Sequence, residues 1–272
     1  MSETTRKLTL RDLKNKLPVE LKDKKDQSFT FRDWTFAEEK LIAKKKDENP
    51  SLGKFISYVL NQMLESVHGE DWQSMEPNKR VLYLNQSPIG NPFYMYVYLR
   101  FDQIGEELAL NFQCPSCGQA IDNYTASLND IDVDCKQGDY AEVEKYKLKK
   151  PITLEKGDIL VEELNIGLAK WDVMERADEQ KSGDEASMKQ HTFRNSIVGA
   201  SGVSGYFNPD DIINKLKKID IVGLDKAIAN HNAGPNLRAE VVCSKCKSKF
   251  FKRIEWSYDD FFGIGSLPEA EV

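Results

Sequence analysis

The chain has 272 residues, 40% of them hydrophobic and 30% charged, enough to bury a core as one large domain or two small ones. A net charge of −6 gives no global pull toward nucleic acid, so such a site would have to be a local patch. No run approaches the roughly 18 apolar residues of a membrane span, and "MSETTRKLTLRDLKNK" lacks the apolar stretch of a secretory signal, so the expected setting is a reducing cytoplasm.

Residues 1–27 are lysine-rich and poor in large apolar groups, which reads as a mobile basic arm or a short helix that orders on a partner. "SFTFRDWTF" (28–36) alternates through Phe29, Phe31 and Trp34, a short strand, and "AEEKLIAKKK" after it reads as helix. In "PSLGKFISYVLNQMLESV", Phe55, Val59, Met63 and Val67 fall at four-residue steps on one face of an amphipathic helix. "NKRVLYLNQ" continues as helix, and the Tyr-rich "PFYMYVYLRF" reads as core strand or as a subunit contact. "EELALNF" is a strand leading to Cys114, and "YAEVEKYKLKKPITL" with "GDILVEELN" forms a β pair. Residues 175–190 are charged and polar, an exposed loop or frayed helix. Asn208-Pro209-Asp210 opens a helix that carries Ile212, Ile213, Leu216, Ile219, Leu224 and Ile228. "LRAEVVC" and "FFKRIEW" are strands entering and leaving the segment that holds Cys243 and Cys246.

The chemistry concentrates in "CPSC", Cys114 and Cys117, and "CSKC", Cys243 and Cys246. Cys-x-x-Cys lets two thiolates from one turn reach one ion, and two such turns close a tetrahedron around Zn²⁺. Gly118 suits the tight turn after the first pair; its counterpart is Lys247. Residues 118–242 separate the pairs, so a shared ion would clasp the two ends of one domain. Redox chemistry in one pair, packing without a ligand, and two separately completed sites are the alternatives. The expected fold is α+β: a small β-rich, zinc-ribbon-like core clasped by the two knuckles, with helical insertions. Its bounds are 28–263, with an insertion at about 140–242 and a tail at 264–272.

Elsewhere the sequence offers little chemistry. Cys135 stands alone and reads as a buried or idle thiol. His68, His191 and His231 lie in unrelated contexts and read as surface or capping residues. "GASGVSG" (199–205) does not fit the dinucleotide spacing and reads as a hinge or turn. No general acid and base pair stands out, and a four-cysteine site has no open coordination position, so no enzyme is expected. "CSKCKSKFFKR" (243–253) is locally basic with interleaved aromatics, which keeps a zinc-ribbon nucleic-acid binder as the alternative. In the tail, Phe261 and Phe262 are either core or anchors in a neighbouring subunit, with Gly263 and Gly265 giving the bend.

Taken together, "FTFRDWTF", "CPSCGQAIDNYTASLNDIDV", "INKLKKIDIVGLDKAIANHNAGPNLRAEVVCSKCKSKF" and "DDFFG" occur in an order that resembles the T4-like phage baseplate hub family, over roughly residues 28–263. The resemblance implies a non-enzymatic subunit or assembly factor of a contractile tail baseplate. It implies other baseplate proteins as partners in a hetero-oligomer. The expected location is the virion tail, or the host cytoplasm during assembly, with no membrane contact.

Overall fold

A computed structural model describes residues 6–48, 50–136, 143–154, 158–176, 185–205 and 207–254. Residues 6–27, within the stretch expected as a mobile arm, instead contribute to the core. Strand β1 (Arg6–Thr9) runs into the short helix α1 (Leu10–Leu13), which Thr9 and Asp12 cap reciprocally. Leu10, Leu13, Leu17 and Val19 are buried. The lysines between them stay outside, so composition hid a sparse apolar set. Buried Asn91 holds the segment with two bonds to Val19: its Oδ1 accepts from the backbone N–H at 2.9 Å and its Nδ2 donates to the carbonyl at 3.0 Å.

Strand β2 (Phe29–Phe31) leads to α2 (Phe36–Asp47), α3 (Leu52–Met63), β3 (Leu64–Val67) and β4 (Glu70–Asp71). The four-residue stripe does not remain helical to Val67. The chain turns extended at Leu64, and Val67 pairs with Phe29 in the sheet β2-β3-β4. Helix α4 (Pro77–Gln86) is followed by α5 (Gly90–Gln103), which replaces the strand expected in the Tyr-rich run. Tyr94, Met95, Tyr96, Val97 and Leu99 are fully buried there, and burial on several sides outweighs the β preference of Tyr and Val.

Strands β5 (Glu107–Gln113) and β6 (Ala120–Ser127) form one antiparallel hairpin, followed by β7 (Asp132–Cys135). Next, β8 (Glu144–Leu154) and β9 (Ile159–Ile166) pair as expected. Helices α6 (Asp172–Glu175) and α7 (Glu185–Ser196), strand β10 (Ile197–Ala200), and helices α8 (Pro209–Ile213) and α9 (Lys218–His231) follow. Asn208 caps α8 through its side chain, as the Asn-Pro-Asp run predicts, but the helix stops at Ile213. Ile219 falls on the separate α9 and is 57% exposed, so it is not on a core stripe. Strands β11 (Gly234–Pro235), β12 (Arg238–Val242) and β13 (Lys249–Arg253) close the described chain.

The architecture is α+β, with small antiparallel sheets and helices around two buried clusters. The larger joins α1–α6 to the sheet β1-β7-β11 and reaches Leu237 and Ile254. The second gathers Leu148, Val161, Leu164, Phe193, Ile212 and Leu224 from the sheet β10-β9-β8 and its helices. Trp171, just before α6, packs in the larger cluster, its indole N–H donating to Ser57 Oγ of α3 at 2.7 Å. Two glycines allow close approach: a Cβ on Gly53 would lie 2.2 Å from the Met174 carbonyl oxygen, and one on Gly90 2.2 Å from that of Ala233. The path after α9 is thereby brought against α5 and directed into β12.

Candidate metal centre

Each cysteine pair sits in the loop of a two-stranded hairpin. Pairing of Gln113 with Ala120 closes the loop 114–119, and pairing of Val242 with Lys249 closes 243–248. The strands form because Leu108, Ala126 and Val241 alternate inward with exposed neighbours. The two loops share one hydrogen-bond scheme. Cys114 N–H donates to the Gln119 carbonyl at 2.8 Å, and Gly118 N–H to the Cys114 carbonyl at 2.9 Å. In the second loop, Cys243 N–H donates to Ser248 and Lys247 N–H to Cys243, both at 3.0 Å. The residue after each pair is left-handed, with φ 70° at Gly118 and 60° at Lys247. The asymmetry seen in sequence is therefore one of residue type and not of backbone.

The structure brings all four sequence-singled cysteines together. Their sulfurs lie within 4.8 Å of one another, with Cys114 Sγ 3.7 Å from Cys246 Sγ and Cys117 Sγ 3.8 Å from Cys243 Sγ. Four sulfurs at about 2.3 Å from one tetrahedral ion would be about 3.8 Å apart. All of these thiols are free of disulfides; Cys114 and Cys243 are buried, and Cys117 and Cys246 exposed. Side chains support the approach from both hairpins. Ser116 and Ser248 hydroxyls are 2.9 Å apart, the Phe112 and Phe250 rings meet edge to face at 5.9 Å, and Tyr124 OH donates to the Glu240 carbonyl at 2.9 Å.

The electrostatics suit a cation. Backbone N–H groups of Cys246 and Lys245 aimed at the Cys243 sulfur, helped by its neighbouring thiols, pull its pKa down to about 6. At Cys246 the Ser248 N–H also favours the thiolate, but partial desolvation of its sulfur and the neighbouring sulfurs outweigh it and push the thiol up to about 11. Sulfurs this close resist ionising together unless a positive charge lies among them. Four soft sulfur donors within 4.8 Å of one another, two of the separations matching a tetrahedral set, are a ligand chemistry that fits Zn²⁺.

A family model described as T4 bacteriophage base plate protein matches residues 14–262. The chain belongs to this family. No curated protein matches the chain, and no solved structure does. The base plate match takes in both cysteine hairpins and starts within the packed N-terminal segment. Among the described residues, no helix is long and apolar enough to cross a membrane.

The remaining candidates do not join the centre. Cys135 is buried in β7, its thiol 3.6 Å from the Val133 carbonyl. His191 and His231 are buried and not surface residues, with His231 Nδ1 3.3 Å from Glu144. His68 is half-buried, with Nδ1 2.6 Å from the Asp26 carbonyl and Nε2 2.9 Å from Tyr83 OH. Since a carbonyl only accepts, Nδ1 carries the proton of the neutral ring and Nε2 accepts from Tyr83. In "GASGVSG", Gly199 lies in β10 and Gly202 and Gly205 have positive φ, a turn. Phe261 and Phe262 lie outside the described residues. The Ser116, Ser248 and Tyr124 contacts had no signal in sequence, because each depends on the distant hairpin.

Proposed function

We propose that this chain is a non-enzymatic structural or assembly subunit of a contractile tail baseplate, acting at the hub. Its two Cys-x-x-Cys hairpins would be clasped, in the manner of a zinc ribbon, by one structural Zn²⁺ on Cys114, Cys117, Cys243 and Cys246. The observation that carries the reading is the base plate family match over residues 14–262, a span that includes all four converging cysteines.

Bound Zn²⁺ would neutralise thiolate charge and cross-link segments far apart in sequence. The protein's part is to hold the sulfurs. Paired strands fix both loops, backbone N–H groups support the thiolate of Cys243, and the Phe112–Phe250 contact keeps the hairpins adjacent. Four protein ligands leave no position for substrate, which favours a structural role. The rigid unit would present contacts to other baseplate proteins, with Phe261 and Phe262 as candidate anchors. The chain would act in the host cytoplasm during assembly and in the virion tail thereafter.

The test is incorporation of tagged chain into tails assembled without the untagged one. The reading expects it in purified baseplates at fixed stoichiometry, and expects Phe261→Ala with Phe262→Ala to remain folded but be left out. Complete baseplates assembled without the chain would contradict it.

A further inference from the structure

Both cysteine hairpins grow from the neighbourhood of one strand. β7 follows β6 after the short turn 128–130, and β11, which pairs with β7, leads into β12. Asn236 N–H donates to the Asp132 carbonyl at 2.8 Å, which ties the start of the second hairpin to β7. Each hairpin is closed at its base by a backbone bond, Leu128 N–H to the Glu106 carbonyl at 2.8 Å and Ile254 N–H to the Leu237 carbonyl at 3.0 Å. The larger buried cluster takes in Leu108 and Ala126 of the first hairpin, and Leu237 and Ile254 at the base of the second. These anchors lie at the end opposite the thiols, and none of them involves a sulfur.

A second set of contacts lies between the bases and the sulfurs. Tyr124 of β6 donates its hydroxyl to the Glu240 carbonyl of β12 at 2.9 Å. The same ring meets Phe112 edge to face at 5.8 Å, and Phe112 meets Phe250 of β13 edge to face at 5.9 Å. All three rings are half-buried. The chain of hydroxyl and rings therefore crosses from one hairpin to the other twice, and the Ser116 and Ser248 hydroxyls cross a third time inside the loops. Where metal ligands are disordered until the ion arrives, part of the binding energy goes into ordering them; ligands held by their surroundings bind more tightly.

We propose that Tyr124 is a positioning residue of the metal centre. With Phe112 and Phe250 it docks the two hairpins in the metal-free chain, so that an ion enters a set of four sulfurs already brought together. The hydroxyl fixes how far β6 stands from β12, and the ring holds Phe112 against Phe250. The identity of the ion rests on the zinc reading proposed above; the docking of the hairpins does not.

The test uses the full-length reduced chain, stripped of metal, with cobalt(II) as the probe. In the metal-free chain carrying labelled phenylalanine, a nuclear Overhauser contact between the rings of Phe112 and Phe250 is expected, and its absence overturns the proposal. Tyr124→Phe keeps the ring and removes the hydroxyl. It is expected to bind one cobalt ion with the thiolate absorption of the wild-type chain, at about fivefold lower affinity. Ile152→Val, in the second buried cluster, lowers stability away from the hairpins and is expected to leave cobalt affinity unchanged. Equal affinity in Tyr124→Phe and the wild-type chain, or an equal loss in both variants, overturns the role of Tyr124. A wild-type chain that shows the ring contact but binds no cobalt contradicts the metal reading and this role of Tyr124 together. One that binds cobalt without the ring contact in its metal-free form contradicts the present inference alone.

Discussion

Gly118 and Lys247 occupy the same position in the two cysteine loops, at φ 70° and 60°, although only one of them is a glycine. A Cβ on Gly118 would meet nothing within 4 Å, so the cost of a side chain there is torsional and not steric. Lys247→Gly is therefore expected to stabilise the metal-loaded protein by about 1 kcal/mol, and Gly118→Ala to destabilise it by a similar amount. Chemical denaturation of both variants reads this directly. A loss of several kcal/mol in Gly118→Ala would mean that the loop is crowded after all.

Cys114→Ser removes a buried sulfur donor from a set that joins segments separated by more than a hundred residues. Loss of the metal and a loss of about 4 kcal/mol of stability are expected, the scale of a long-loop cross-link. Limited proteolysis should show new cuts across the domain. Cuts confined to the neighbourhood of residue 114 would show that the clasp acts only locally.

Gly90→Ala addresses the approach of α5 to the chain entering β12. Its Cβ would lie 2.2 Å from the Ala233 carbonyl oxygen, which is backbone and cannot swing aside. A loss of about 1–3 kcal/mol is expected. Unchanged stability would mean that the path into the second hairpin is not fixed by α5.

His68 carries a pH dependence with a definite sign. Burial is the main cause that holds its imidazole below the ordinary value of 6.5, against the Asp26 carbonyl, which favours the charged form. On acidification the unfolded ring takes a proton first, so the folded state binds fewer protons in that window. The contribution of His68 to stability is present above about pH 6.5 and is lost as pH falls through its lower folded value. Ring resonances followed through an NMR titration should give a midpoint below 6.5. A midpoint at or above it would refute the assignment.

Legibility in the sequence followed locality. The hairpins around the cysteines could be read because alternation and thiol spacing are short-range signals, and convergence of the pairs could be argued from metal chemistry alone. The N-terminal segment could not. Leu10, Leu13, Leu17 and Val19 are diluted among lysines, and β1 pairs with β7, more than a hundred residues away. Helix α5 was hidden for another reason: tyrosines and Val97 suggest a strand until burial on several sides is known. The left-handed Lys247 was equally invisible, since that conformation is imposed by closing a loop whose carbonyl partner is Cys243.

The central claim is that the four cysteines hold one ion, and mass spectrometry of the purified full-length chain under native and then denaturing conditions tests it most directly. The account predicts a native chain heavier by one zinc ion, with the difference gone on denaturation and absent in Cys114→Ser. A native mass equal to that of the chain alone, or two ions per chain, would contradict it.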